Sequence, residues 1–211
     1  MFALVESGNI TQILKGNKGI TLNSNQYPAA IFTVWTESER NAIGIYTIEI
    51  DETNKKDTEW YINTNVTYAY DSSAKKVKGT YGTATDKPMN DVKWTQKEID
   101  DGDAPDGATT DTIKTSGLKP ILISRVKESA ENILNETDWY VTRKSEKSTA
   151  IPNNITTHRD AVRTKQAEME TAITNAADTA ALETLYTYVN TGTEESPVWE
   201  RPLGELPELE S

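Results

Sequence analysis

The 211-residue chain has no cysteine, a single histidine and only two phenylalanines, and nowhere do eighteen apolar residues run together. Without cysteine there is no disulfide framework, zinc–thiolate site, iron–sulfur cluster or thiol nucleophile. Any Ser–His pair or His-ligated metal site would have to use His158, which falls in a predicted helix next to Arg159. That setting suits surface more than a general base. The missing apolar run excludes a membrane-spanning helix, and Phe2 to Val5 is too short and lacks the basic flank of a secretory signal. Bases are also scarce: 22 Lys and Arg against 33 Asp and Glu leave a net charge of −11 and a pI near 4.7. Such a balance argues against gripping nucleic-acid phosphates or anionic membrane. These absences predict a soluble protein made in a cytoplasm, with no cofactor, no metal, no nucleic acid and no membrane among its partners. The four N-x-S/T matches, at Asn9, Asn65, Asn135 and Asn154, then read as chance in a chain rich in Asn and Thr.

The charge that is present is unevenly placed. Residues 1–90 carry 10 acids and 9 bases, and residues 117–190 again 10 and 9. Residues 91–116 carry 7 and 3, and residues 191–211 carry 6 and 1, so these two short segments hold −9 of the −11. The run Asp100-Asp101-Gly102-Asp103-Ala104-Pro105-Asp106-Gly107 is turn chemistry. Pro197, Pro202 and Pro207 among glutamates stop any helix or central strand near the end. The division predicted is a β-rich domain (1–90), an acidic linker (91–116), a helical block (117–190) and an acidic Pro/Glu tail (191–211). The two acidic segments are expected to lie along basic or polar grooves of neighbouring molecules.

The first block alternates with period 2. Phe2 and Leu4, a turn at Glu6-Ser7-Gly8-Asn9, and the return from Ile10 to Leu14 make a hairpin. Tyr46, Ile48 and Ile50 share one strand face, Val66, Tyr68 and Tyr70 repeat the pattern, and Val77 to Thr83 pairs back antiparallel after a turn at Asp71-Ser72-Ser73. Thr36 as N-cap with acids in the first turn and Gly44 as a stop predict one short helix near 37–43. Trp35, Trp60, Tyr61, Tyr68, Tyr70 and Tyr81 read as packing within this sheet.

The later block changes to period 3.6. Pro120 suits a first helical turn, and Leu122, Val126, Ala130 and Ile133 then form the stripe of an amphipathic helix of about four turns. The pattern breaks from Lys144 to Pro152. Thr156 or Thr157 then caps a second helix with Ala161, Val162, Met169, Ala172, Ile173 and Ala176 as its apolar or small positions. Asp178 caps a third, carrying Leu182, Leu185 and Val189. The fold class expected is α+β: a small, mainly antiparallel β domain with one short helix, followed by a three-helix block. Thin stripes on short helices predict that this block packs on itself and on another chain.

Catalytic patterns are sparse. Asp100, Asp101, Asp103 and Asp106 invite a calcium reading, but Pro105 stands at a ligand position, Asp106 where Gly is required, and no Glu closes the loop, so a solvated linker is expected. Gly16 to Gly19 and Gly79 to Gly82 lack the spacing of a phosphate cradle. Neither heptads nor an internal repeat appears, which excludes a coiled-coil or repetitive β shaft.

One constellation resembles a known family. Arg125, Ala130, Ile133-Leu134, Thr137-Asp138-Trp139, Ile151-Pro152, His158-Arg159 and Val162-Arg163 look like the module found in tail proteins of tailed bacteriophages, often labelled a tail assembly chaperone module. That module runs as a helix ending in a Leu-Leu type pair, a Thr-Asp-Trp, a loop with proline, and a Tyr-Arg-x-x-Leu-Arg helix. The likeness covers residues 121–165, with His158 where the family usually has Tyr and Val162 where it usually has Leu. Asn25-Gln26-Tyr27-Pro28 and Ile43-Gly44-Ile45-Tyr46 are similar to strings in proteins coded among tail genes of marine phages. The resemblance implies a non-enzymatic structural part of a phage tail: an adaptor, baseplate or tail-fibre attachment protein. Its partners would be other phage tail proteins and further copies of itself, in the virion, after synthesis in the bacterial host cytoplasm. The alternative implied is a non-virion chaperone that holds tail-fibre subunits.

Physically, Asp138 follows a predicted helix end and can cap it or accept from Arg159 or Arg163. Trp139 can roof the helix pair, or serve a partner, since Trp and Arg are enriched at interface hot spots. Asp138, Trp139, Arg159 and Arg163 are therefore the candidate structural or interaction motif.

Overall fold

A computed structural model describes residues 1–209. The chain is α+β and forms two compact units, Met1–Thr85 and Asp86–Ser211. The first holds strands β1 (Phe2–Glu6), β2 (Asn9–Leu14), β3 (Ile20–Leu22) and β4 (Asn25–Tyr27), then helices α1 (Ile31–Val34) and α2 (Glu37–Ala42). Strands β5 (Ile45–Asp51), β6 (Tyr61–Ile62), β7 (Val66–Asp71) and β8 (Lys76–Tyr81) follow, and β9 (Thr85–Asp86) lies at the division. The second unit runs β10 (Val92–Lys93), α3 (Gln96–Asp100), β11 (Ile113–Thr115), α4 (Leu118–Asn135), α5 (Asp138–Lys147), α6 (Asn153–Asn175), α7 (Thr179–Tyr186), β12 (Val189–Asn190) and β13 (Trp199–Glu200).

The first unit is built on a five-stranded sheet in the order β2-β1-β5-β8-β7. The expected hairpin is β1–β2, and β7 pairs antiparallel with β8, Tyr70 opposite Val77. One pairing differs from expectation: β5 runs parallel to β8, Ile48 beside Val77. Alternation puts Leu4 and Ile45 on one face of the sheet, with Leu14, Ile31 and Phe32 packed against them. The other face gathers Ala3, Val5, Ile48 and Val77 under Tyr46, Tyr68 and Tyr70. Gly79 sits where a Cβ would stand 2.7 Å from the Ile50 side chain and 2.9 Å from Val66, so only a bare backbone fits between them. Helix α2 starts on a capping box, Thr36 Oγ1 accepting from the Glu39 amide while Glu39 accepts from the Thr36 amide at 2.8 Å. It stops before Gly44, whose φ of +81° suits glycine. A second, one-turn helix, α1, was not expected.

The segment expected as an acidic linker is folded. Its three bases each meet an acid within the segment: Lys93 with Asp111 at 3.0 Å, Lys97 with Asp101, and Lys114 with Glu98. Thr95 and Glu98 form a second capping box that starts α3, and β10 pairs with β11. The first amides of α4 are taken up by the chain just before and within this segment. Gly117 donates to the Asp91 carboxylate at 2.8 Å, Leu118 to the Pro88 carbonyl at 2.8 Å and Lys119 to the Met89 carbonyl at 3.0 Å. Pro88, Met89 and Asp91 thus brace the N-terminus of α4, and the chain divides at 85, before the expected boundary at 90. Within α3, Asp100 accepts from Gln96 at 2.8 Å.

Among the described residues the helical block has four helices after residue 117, not three. Leu118, Leu122, Val126 and Ala130 of α4 are buried, as are Ile155, His158, Arg159, Val162, Met169 and Ile173 of α6. These two stripes supply the core. Helix α6 begins four or five residues earlier than a Thr156 or Thr157 cap would start it, at Asn153 after Pro152. Asp178 caps α7 as predicted, its Oδ1 accepting from the Ala181 amide at 2.8 Å. The unexpected helix is α5, which buries no residue and so shows no stripe to read. It is held at its ends, by Asp138 in the first turn and by Lys144 and Lys147 in the last.

The C-terminal segment is also fixed to its own chain. Leu203 is buried and donates its amide to the Leu185 carbonyl of α7 at 3.0 Å. Arg201 bonds Glu205 at 2.6 Å, and the Gly204 carbonyl at 3.1 Å. The expectation that the whole of 191–211 lies along a neighbour is thereby corrected for residues 201–207. Among the described residues no helix is long and apolar enough to cross a membrane.

Candidate functional site

The corner between α4 and α5 explains the Thr137-Asp138-Trp139 string. Helix α4 ends with carbonyls that have no i+4 partner in the helix, and that of Leu134 collects three donors besides the Glu136 amide. They are the Thr137 amide at 3.1 Å, the Thr137 hydroxyl at 3.0 Å and Arg159 Nη1 at 2.7 Å. The same Nη1 donates to Thr137 Oγ1 at 2.7 Å, and Nη2 meets the Asp138 carboxylate at 2.8 Å. One guanidinium therefore joins the negative end of α4, a buried hydroxyl and an acid at the positive end of α5. Arg159 reaches that position as part of the buried stripe of α6. A lysine could not replace it, since one ammonium cannot span acceptors on three residues in the plane of a fork.

Of the four motif residues, the structure brings Asp138 and Arg159 together. Arg163 lies elsewhere, exposed, and pairs with Asp160 of its own helix at 3.2 Å. Trp139 does not roof the helix pair. It is 51% exposed, and its ring lies 3.7 Å from that of Tyr140 between centroids. The Arg143 guanidinium stands over both rings, at 4.6 Å and 5.2 Å. Asp138 is drawn inward to Arg159, leaving its neighbour Trp139 on the outside of α5. Val141 is exposed beside these aromatics, and Arg143, Lys144 and Lys147 give this helix a basic character. The buried Nε of Arg143 has no hydrogen-bond partner among the described residues.

His158 corrects the surface expectation: it is buried, in the row that includes Val162 and Met169. It lines a cleft of about 860 Å³ together with Val126, Ser129, Ile133 and Met169, under Leu206 of the C-terminal segment. Ser129 and His158 are not joined by a hydrogen bond, and no group of three or more potential metal-ligating side chains occurs among the described residues. Sequence reasoning missed both the burial of His158 and the exposure of Trp139. The signal for the first was available, because His158 lies three residues after Ile155 and four before Val162.

No family model, curated protein or solved structure matches the chain. Function is therefore inferred from the residues and their arrangement.

Proposed function

We propose that this chain is a structural part of a bacteriophage tail that acts by binding other tail proteins, with the outer face of α5 as a binding surface. The observation that carries this reading is Trp139 stacked on Tyr140 beneath Arg143, half exposed on a helix that contributes nothing to the core. An exposed Trp–Tyr–Arg group on a helix clamped by Arg159 presents the residue types that dominate interface energetics, already ordered, so little entropy is lost on docking. The resemblance over residues 121–165 points to phage tails as the setting.

The experiment is mass spectrometry of purified particles with lysine cross-linking. The protein is expected in the particles, with Lys144 or Lys147 cross-linked to another tail protein. Trp139→Ala should reduce incorporation while leaving thermal unfolding unchanged. Absence from particles, combined with a higher yield of soluble fibre on co-expression, would replace this reading by the non-virion chaperone.

A further inference from the structure

Large apolar side chains are concentrated on a second exposed element, at the other end of the helical unit's sequence. Every residue from 187 to 200 is exposed. Among them Tyr188 is 49% exposed, Val189 48%, Val198 47% and Trp199 63%. They sit on the β12–β13 ribbon, where Asn190 faces Trp199 and Val189 faces Glu200. Period 2 then places Trp199 on one face and Val189 on the other, so apolar groups lie on both sides of an uncovered two-stranded ribbon. Such a ribbon is marginal alone in water. This one is well defined all the same. Thr191 donates to the Val198 carbonyl at 2.7 Å, and the amides of Gly192 and Val198 both reach the Asn190 carboxamide oxygen at 3.0 Å. Its root is held by the buried Leu203 and by Tyr188, whose hydroxyl donates to Glu205.

The ribbon and α5 carry opposite charge. Residues 187–200 contain Glu194, Glu195 and Glu200 and no base. Once Asp138 is engaged by Arg159, α5 holds Arg143, Lys144 and Lys147 against Glu146 alone. None of these three bases has a carboxylate partner among the described residues, and neither Glu194 nor Glu195 has a cationic one. Ribbon against ribbon, or α5 against α5, would bring like charges together. Ribbon against α5 pairs opposite charges and two exposed tryptophans.

We propose that copies of this chain join head to tail, the acidic β12–β13 ribbon of one copy seated on the basic aromatic face of α5 of the next. The contact is heterologous: each copy uses two different surfaces, and repetition closes a ring or continues as a filament. It deepens the protein-binding reading by naming a second copy as one partner. Because it is tested on the purified chain without particles, the two can fail separately.

The experiment is sedimentation velocity of the full chain over a range of concentrations. The wild type should associate, and raising NaCl from about 0.05 to 0.5 M should weaken association several-fold, as for exposed opposite charges. Trp139→Ala with Arg143→Ala removes one surface, and Trp199→Ala with Val198→Ser removes the other. Each variant alone should associate about thirtyfold more weakly than the wild type, the range of a hot-spot loss. Mixed, they retain one intact pair of surfaces and should give a 1:1 complex and nothing larger. E194K with E195K alters only exposed turn residues and should weaken association even if the ribbon substitutions fray the strands. A wild type that stays monomeric at every concentration would overturn the proposal. So would a single-surface variant that associates like the wild type, or a mixture that does not pair.

Discussion

The two units use the same kinds of residue in opposite ways. In residues 1–85, Trp60 and Tyr61 are buried, Tyr46 stacks on Tyr70 at 4.7 Å and Tyr27 meets Trp35 edge-on at 5.9 Å. The exposed large apolar side chains of that unit are all aliphatic: Met1, Ile13, Val34, Ile50 and Ile62. In the helical unit the exposed set includes Trp139, Tyr188 and Trp199. A sheet with α1 and the β3–β4 hairpin packed on one face and its own tyrosines lying over the other has room to cover aromatics, whereas α5 and the β12–β13 ribbon are outlying pieces held at their ends. The difference teaches that an aromatic count says little until the element carrying it has been placed. In this chain the β unit covers its aromatics, and the helical unit leaves two aromatic faces exposed.

The contrast can be broken or sharpened by substitution. The largest effect is expected at Ile45, fully buried in the β unit. Ile45→Ala should cost about 3–4 kcal/mol by chemical denaturation. Hydrogen exchange should place the loss of protection within residues 1–85, and equal loss in the helical unit would erase the distinction between them. Arg159→Met should come next, at about 2–3 kcal/mol, because it removes the donors to the Leu134 carbonyl, the Thr137 hydroxyl and the Asp138 carboxylate together and frees the α4–α5 corner. Arg159→Lys should recover little of that loss, and full recovery would show that charge alone holds the corner.

A smaller effect is expected from acid. The Lys114 ammonium, with the Thr95 amide and hydroxyl, holds the Glu98 carboxyl down to about 2 from an ordinary 4.5. Because the folded value is the lower one, its stabilising contribution is complete above about 4.5 and is lost as pH falls toward 2. A carbon NMR titration of Glu98 should have its midpoint near 2, and Lys114→Ala should raise it. The smallest effect on stability is expected at Trp139, where Trp139→Ala should change unfolding by no more than about 0.5 kcal/mol, the usual range for an exposed site. A loss of several times that size would make Trp139 part of the core and remove the surface proposed for binding.

Much of the fold is legible in local pattern. The β1–β2 hairpin follows from its Ser-Gly-Asn turn, α2 from Thr36, Glu39 and Gly44, and α7 from Asp178. The α4 stripe follows from its 3.6 period. Residues 95–98, Thr-Gln-Lys-Glu, also match a capping box, a signal for α3 outweighed by the acidic turn residues that follow. The parallel β5–β8 pairing is not legible, because alternation shows which residues share a face and not which strand lies alongside. Nor is α5, which has no buried face to give it a period. The docking of Leu203 depends on one apolar residue among prolines and glutamates, too little to register as a pattern.

The candidate motif divides in the same way. Its chemistry, an acid after a helix end and an arginine able to reach it, is written in residue types and spacing. Sequence by itself determined the α+β class, the absence of thiol chemistry and the concentration of acid in two segments. Only the tertiary structure decided that Arg159 and not Arg163 meets Asp138, that Trp139 faces outward and His158 inward, and that the acidic segments brace α4 and anchor on α7. The physical reason is range. Caps, turns and amphipathic stripes are set by neighbours a few positions apart, whereas the direction a side chain faces is set by what packs against its element from far along the chain.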